Sequence, residues 1–491
     1  MKSLVAGLLV LLASAAQAQQ IGYEGARHLL NRAGFGASDS EIREFAPLTR
    51  AEAVDRLLAG ARREPTLAPP AFAQDAFLPY YRIRDMNAED RAAELRKRLQ
   101  QGFELRAWWL HEMVLTPSPL SERMTLFWHS HFATSQQKVR SIPLMYRQNA
   151  LLRREALGSF RVLLHDIAKD PAMLVYLDNA GSRREAPNEN FAREVMELFT
   201  LGEGNYGERD VKEAARAFTG WSVNRDTGEF VYRRMWHDPD EKTVLGRTGR
   251  LDGTAILDLL LAQPQTAEFV TTKLWREFVS PTPDRAEVRR LAGVFRDARY
   301  EVKPLVRALL VSDAFWAEDN RAVLIKSPVD LVVGTLRTFG IRPVDYRPAA
   351  FAVAALGQAP FTPPNVKGWP GGETWIDSST LLGRRQWIDR VFRGAEAMQA
   401  DASAPAEESM TMTAAAPTPR DALRRTLESG MRGYAFEGER WTRSVDAGLA
   451  DRPARVATLV LAMPPANPVP GGDDESAFVR ALVSDPVFQL R

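Results

Sequence analysis

Three of the chain's six histidines fall in segments where imidazole could serve a metal. His129 and His131 lie in Phe-Trp-His-Ser-His-Phe at 127–132, and His237 precedes Asp238 in His-Asp-Pro-Asp at 237–240. Carboxylates stand in a second segment, Asn-Glu-Asn-Phe-Ala-Arg-Glu-Val-Met-Glu at 188–197, which carries Asn190, Arg193, Glu194 and Glu197. If these segments converge, His129, His131, His237, Glu194 and Glu197 form a mixed imidazole and carboxylate set. Such a set suits a divalent metal, zinc, manganese or iron, with geometry deciding among them. The metal would polarise a bound water, and a carboxylate such as Glu194, Glu197 or Asp238 would act as general base.

Each group also has a plainer reading. Two residues apart on a helix, the rings of His129 and His131 point about 200° from each other, whereas in an extended segment they share a face. A site using both requires the helix to end at or before His129; otherwise one ring packs in the core and hydrogen-bonds a carbonyl. Asp238 would accept backbone hydrogens in a turn, with Lys242 across it in solvent. Glu194 and Glu197 would belong to a solvent face with an Arg193–Glu197 pair at i, i+4.

The carboxylates need a helix to hold them. With Asn190 at zero and about 100° per residue, Glu194 and Glu197 fall within about 40° of it, with Arg193 at their edge. Phe191, Val195, Leu198 and Phe199 take the opposite side, and Gly202 stops the helix. A second helix begins near Glu208, where Val211, Ala214, Ala215 and Phe218 have the spacing of a packed face. Elsewhere helical patterns run over 24–32, from Ser38 or Asp39, over 88–115, from Ser118-Pro119 through the two histidines, over about 143–156, 159–168 and 171–177, and from Ser327-Pro328. The strand signal is confined to 229–246: Phe230 to His237 alternates, Asp238-Pro239-Asp240 turns, and Thr243-Val244-Leu245 returns as one short hairpin.

Asn-Glu-Asn-Phe-Ala-Arg-Glu-Val-Met-Glu-Leu-Phe-Thr-Leu-Gly, followed by Asp-Val-Lys-Glu-Ala-Ala-Arg-Ala-Phe-Thr-Gly-Trp, strongly resembles the bacterial domain-of-unknown-function family number 1800. The likeness extends to RHLLNRAGFG at 27–36, FWHSHFATS at 127–135, HDPDEKTVLG at 237–246, LGQAPFTPPNVKGW at 356–369 and the closing SDPVFQ. One departure is Gly207, where the family usually has Thr before the second helix; glycine is an acceptable N-cap. The resemblance implies no settled activity. Family genes often neighbour those of a sulfatase-like family, which implies a sulfatase-like protein as partner.

Composition narrows the remaining choices. Formal net charge is +2, from 64 Lys and Arg against 62 Asp and Glu, so no global field favours nucleic acid or a membrane surface. There is no cysteine for a disulfide, a lipid anchor or a thiolate site. Residues 1–18 read as a secretory signal: Lys2, an apolar run from Leu4 to Ala13, and Ala16-Gln17-Ala18. The run is too short to anchor the chain, so the mature protein is expected in the periplasm or secreted, without a membrane anchor. Residues 397–419 lack periodicity and read as a flexible linker. The expected architecture is mainly α: a signal at 1–18, a large multi-helix body at 19–396 with one short β-hairpin, the linker, and a helical tail at 420–491. In the tail, VRALVSDPVFQ at 479–489 echoes VRALLVSDAFW at 306–316.

A third candidate is the loop 357–375, where Phe361, Trp369 and Trp375 would stack on sugars or a partner if exposed and plug the body if buried. No P-loop, dinucleotide fingerprint, nucleophile elbow or zincin motif occurs. Two functions fit: a periplasmic partner or assembly factor for a sulfatase-like neighbour, and a metal-assisted hydrolase using the His and Glu residues. Cleavage after Ala18 predicts a mature chain that begins at Gln19. N-terminal sequencing of the exported form checks this, and a product still starting at Met1 would overturn it.

Overall fold

Proline loses nothing at the first position of a helix, because its missing N–H would be unpaired there anyway. Pro119 opens the helix Pro119–His131 in this way, and every residue from Leu120 to His129 is buried. A helix buried on all sides runs through the middle of a body. Gly22–Ala33 and Ile142–Arg154 pack on it, and Ala88–Leu115 packs in turn on Ile142–Arg154, Pro328–Thr338 and Arg347–Ala355. The computed structural model describes residues 19–403, 432–434, 436–446, 448, 451–471 and 474–491. The expected signal at 1–18 and residues 404–419 of the expected linker lie outside these; 397–403 continue the helix Ser378–Ser403.

The fold is mainly helical, and most starts follow the local chemistry that predicted them. Ser38 closes a capping box with Glu41, Ser327 does the same with Asp330, and Asn87 caps Ala88–Leu115. Most polar residues on the central helix are tied to another segment. Glu122 accepts from Arg153 Nε and Nη2 at 2.6 and 2.9 Å and from Trp109 Nε1 at 2.7 Å. Arg123 reaches Asp330 and the Gly34 carbonyl. Thr125 bonds back to the Ser121 carbonyl at 2.7 Å.

The strands differ from the single hairpin expected. Among the described residues there are two separate antiparallel pairs: β1 (Trp221–Val223) with β2 (Phe230–Tyr232), and β3 (Lys242–Val244) with β4 (Arg247–Gly249). Phe230–Tyr232 pairs backward because Asn224 caps the intervening turn at Asp226 and Thr227, and Gly228 adopts a φ of +70°. Arg234–Trp236 coils into a single 3-10 turn instead of extending the strand. The β3–β4 turn is Leu245-Gly246, with φ of +48° and +77°, the signs that a two-residue hairpin turn requires. Leucine disfavours that conformation, so its residue type gave no turn signal.

Described parts of the tail lie against the body. The Lys326 N–H donates to the Gln489 carbonyl at 2.7 Å, and the Arg491 N–H donates to that of Leu324 at 2.8 Å. The repeated motif folds the same way twice: Val302–Val311 leads into Asp313–Trp316, and Glu475–Ser484 leads into Pro486–Gln489. Among the described residues no helix is long and apolar enough to cross a membrane.

Glu122 and Arg153 are both buried, so removing one strands the other. Glu122→Ala is expected to cost about 3–5 kcal/mol in denaturant unfolding. A cost below about 1 kcal/mol would show that water reaches Arg153.

Candidate functional site

Asn188 begins the carboxylate helix. Its side chain accepts from the Phe191 N–H at 3.2 Å and donates to the Leu177 carbonyl at 3.2 Å. The α-helix Glu189–Glu194 buries Phe191 and Ala192, then widens into a π-helical turn at Val195–Thr200 that buries Val195, Met196 and Phe199. Thr200 Oγ1 supports the wide turn by donating to the Val195 carbonyl at 2.7 Å, five residues back. Gly202 follows with a φ of +80°, and a Cβ there would meet the Phe269 ring at 2.9 Å. Wide turns of this kind are frequent at functional sites.

The carbonyls at the end of the turn are held from below. His131 Nε2 lies 3.2 Å from the Phe199 carbonyl, and Lys273 Nζ donates to that of Leu198 at 3.2 Å. A carbonyl can only accept, so His131 Nε2 carries the proton and Nδ1 accepts from the Lys273 ammonium at 3.1 Å. Burial, then the Lys273 charge, push the His131 pKa well below its ordinary value. Both ring nitrogens are committed, leaving none for a metal.

His129 points the other way, as the helical wheel requires. Its Nε2 accepts from the Phe361 N–H at 2.9 Å, which places the proton on the buried Nδ1, an atom with no hydrogen-bond partner among the described residues. Burial lowers its pKa to about 3. Phe361 has a φ of +65° and is pinned by His129 at its N–H and by Gln136 at its carbonyl. The expected aromatic loop therefore plugs the body at Phe361 and Trp375, which are buried, while Trp369 is partly exposed. Gly368, with a φ of +79°, lies against the Ser130 carbonyl where no Cβ would fit. That contact presents Lys367 to the glutamates.

The resulting face gathers Glu194, Glu197, Tyr206, Tyr176 and Lys367. Glu197 accepts from Tyr206 Oη and lies 3.8 Å from Lys367 Nζ. Glu194 is partly buried and makes no hydrogen bond to any described residue. Burial, then the neighbouring Glu197, raise its pKa, while Lys367 and Arg193 oppose the rise. The Tyr176 pKa is raised by burial and by Glu194. Asn190 is exposed, with its amide 3.4 Å from the Leu177 carbonyl. Arg193 does not pair with Glu197 as expected; it forms a two-pronged bridge with Glu208 at 2.7 and 2.8 Å, because the next helix starts beside it.

The His-Asp-Pro-Asp turn lies apart from this face in its bonding. His237 Nδ1 donates to the Thr219 carbonyl at 3.0 Å. Asp238 accepts from Arg216 Nε at 2.7 Å and from the Asp240 N–H at 2.9 Å. Burial favours the neutral acid, but these donors and Lys242 hold its pKa below the ordinary value. Lys242 is 1% exposed, which corrects the expectation of a solvated lysine. Its ammonium donates to the carbonyls of Asp238 and Asp240 at 2.7 Å each and so clamps the turn shut.

Among the described residues no group of three or more His, Asp or Glu side chains is placed to hold a metal ion. The geometry brings Glu194 and Glu197 together with each other, not with His129, His131 or His237. Sequence reasoning missed Tyr206, Tyr176, Lys273 and Lys367. Only Lys367 had a signal, its place in the Pro-Pro-Asn-Val-Lys-Gly-Trp loop.

The profile of the family described as "Protein of unknown function (DUF1800)" matches residues 28–490, and the chain belongs to this family. No curated protein and no solved structure matches the chain.

The imidazoles give the fold an acid limb. His28 and His129 have folded pKa values of about 3 against an ordinary 6.5, and His131 is also held neutral. Below pH 6.5 the unfolded chain therefore binds protons that the folded chain refuses. Stability from this source is complete above that pH and falls progressively toward pH 3. His129→Gln keeps an acceptor for Phe361 and should reduce the slope of unfolding free energy against pH by up to about 1.4 kcal/mol per unit. An unchanged slope would show that His129 is not held neutral.

Proposed function

We propose that this chain is an exported, non-catalytic partner or assembly factor. On this reading the Glu194–Glu197 face docks a cationic group of another protein, and the sulfatase-like neighbour is the first partner to test. The observation that carries the reading is the condition of Glu194. A partly buried carboxylate beside a like charge, with no hydrogen-bond donor of its own, is costly in the free protein. An arriving lysine or arginine would remove that cost. Tyr176 and Tyr206 flank the pair, and tyrosine suits interfaces because it combines a flat apolar face with a polar tip. Two imidazoles that would complete a metal centre, His129 and His131, each hold a backbone group instead.

The raised pKa of Glu194 also favours a second reading, a metal-assisted hydrolase in which Glu194 is the general base and the pair binds a divalent cation. Glu194→Gln and Glu197→Gln separate the two. Both variants should fold with stability within about 1 kcal/mol of the parent, since each removes like-charge repulsion. On the partner reading, calorimetric affinity for the sulfatase-like protein falls at least about tenfold in both. Unchanged affinity in both variants would sink that reading. Stoichiometric metal in the purified parent, absent from both variants, would replace it with the second.

A further inference from the structure

Basic side chains gather inside the body where Gly22–Ala33, the start of Pro328–Thr338, Ser378–Ser403 and the Pro486–Gln489 turn meet. Arg123 and Arg491 are paired there with Asp330 and Glu277. Arg491 lies 3.0 Å from Glu277 and 3.3 Å from Asp330, and Arg123 lies 3.2 Å from Glu277 and touches Asp330. Two cations and two anions cancel. Arg27, Arg32, Lys326 and Arg384 remain.

None of these four forms an ion pair with a described carboxylate. Arg27 donates to the carbonyls of Leu461 and Ala462. Arg32 donates to those of Phe278, Val279 and Asn320 at 3.0, 2.8 and 2.6 Å. Arg384 donates to Gln489 Oε1 at 2.9 Å and to the Lys326 carbonyl at 2.8 Å. All three guanidinium groups are buried, and the Nε of each lacks a hydrogen-bond partner. The Lys326 ammonium makes no hydrogen bond to any described residue; it lies 3.9 Å from the centre of the Phe488 ring. Burial lowers its pKa to about 7, with Arg27, Arg384 and Arg491 adding to the effect and Asp330 opposing it. Lys326 also directly precedes Ser327, the N-cap of Pro328–Thr338, at the positive end of that helix dipole.

Carbonyl oxygens and a ring face satisfy donors without cancelling charge. Three buried guanidinium groups left in this state beside the partly exposed Lys326 are expensive, and an anion next to them would repay the cost. We propose that Lys326, with Arg27 and Arg384, forms a binding site for a small oxyanion of the sulfate, phosphate or carboxylate kind. The ammonium supplies the open donors, and the neighbouring Arg27 and Arg384 guanidinium groups add positive charge. This site is separate from the Glu194–Glu197 face and does not depend on the function proposed for that face.

Thermal unfolding of the full chain tests the site, with sodium chloride exchanged for sulfate, phosphate or acetate at constant ionic strength. At least one anion should raise Tm saturably, by about 2 °C or more at high occupancy. Whether sulfate and phosphate or acetate produces the shift tells a tetrahedral oxyanion from a carboxylate. Lys326→Met should unfold cooperatively and lose the saturable shift; Arg384→Met replaces it if that variant does not fold. Absence of a saturable shift with all three anions overturns the proposal. An equal shift in the variant does so too, because general exclusion of salts from the surface acts on both proteins alike.

Discussion

Two buried, uncharged imidazoles hold the carboxylate face in place. His129 and His131 sit at the end of one helix with their rings directed to opposite sides. One accepts a hydrogen bond from the Phe361 N–H and fixes the loop that presents Lys367. The other donates to the Phe199 carbonyl and fixes the wide turn that carries Glu197. His129 needs a neutral Nε2 to accept from Phe361, and His131 needs a neutral Nδ1 to accept from Lys273. Leaving a buried partner unpaired costs about 1–3 kcal/mol, so the face and the charge state of the core are the same problem. Phe361 is kept in a left-handed conformation that phenylalanine disfavours, and the bonds at its N–H and carbonyl compensate.

The same logic extends along Pro119–His131. A helix buried on all sides would ordinarily be apolar, yet this one carries Ser121, Glu122, Arg123, Thr125, His129 and His131. Each reaches a backbone group or a side chain of opposite character. Apolar packing of this many residues tolerates small shifts, whereas a buried hydrogen bond tolerates almost none. The polar residues therefore act as register marks. Arg123 sets the helix against Pro328–Thr338, Glu122 sets it against Ile142–Arg154, and the histidines set it against the carboxylate face.

What the sequence disclosed follows from the range of the interactions. Helix starts at Ser38, Ala88, Pro119 and Ser327 depend on residues close in sequence, and they were legible. The opposed directions of His129 and His131 were legible for the same reason, since about 200° follows from helical pitch alone. Partners distant in sequence were not. Arg193 chose Glu208 across a turn over Glu197 on its own helix, and Lys242 turned inward to carbonyls that the residue pattern does not encode. The alternation from Phe230 to His237 was real but short. Its three residues of strand were decided by a capped turn at Asn224, and the second hairpin by a leucine in a conformation leucine avoids.

Net charge was the least informative property of all. A formal +2 over 491 residues suggests a bland electrostatic surface. The fold sorts those charges instead. Basic side chains collect around Asp330, where two carboxylates pair with two of six cations, while Glu194 shares a face with Glu197, which lies 3.8 Å from Lys367. Sorting of this kind opposes the tendency of buried charges to pair, and it strains the fold in both places. A chain selected for stability alone would relieve it cheaply, with glutamine at 194 or methionine at 326. The proposed cation site at Glu194 and the proposed anion site at Lys326 rest on these two opposite imbalances.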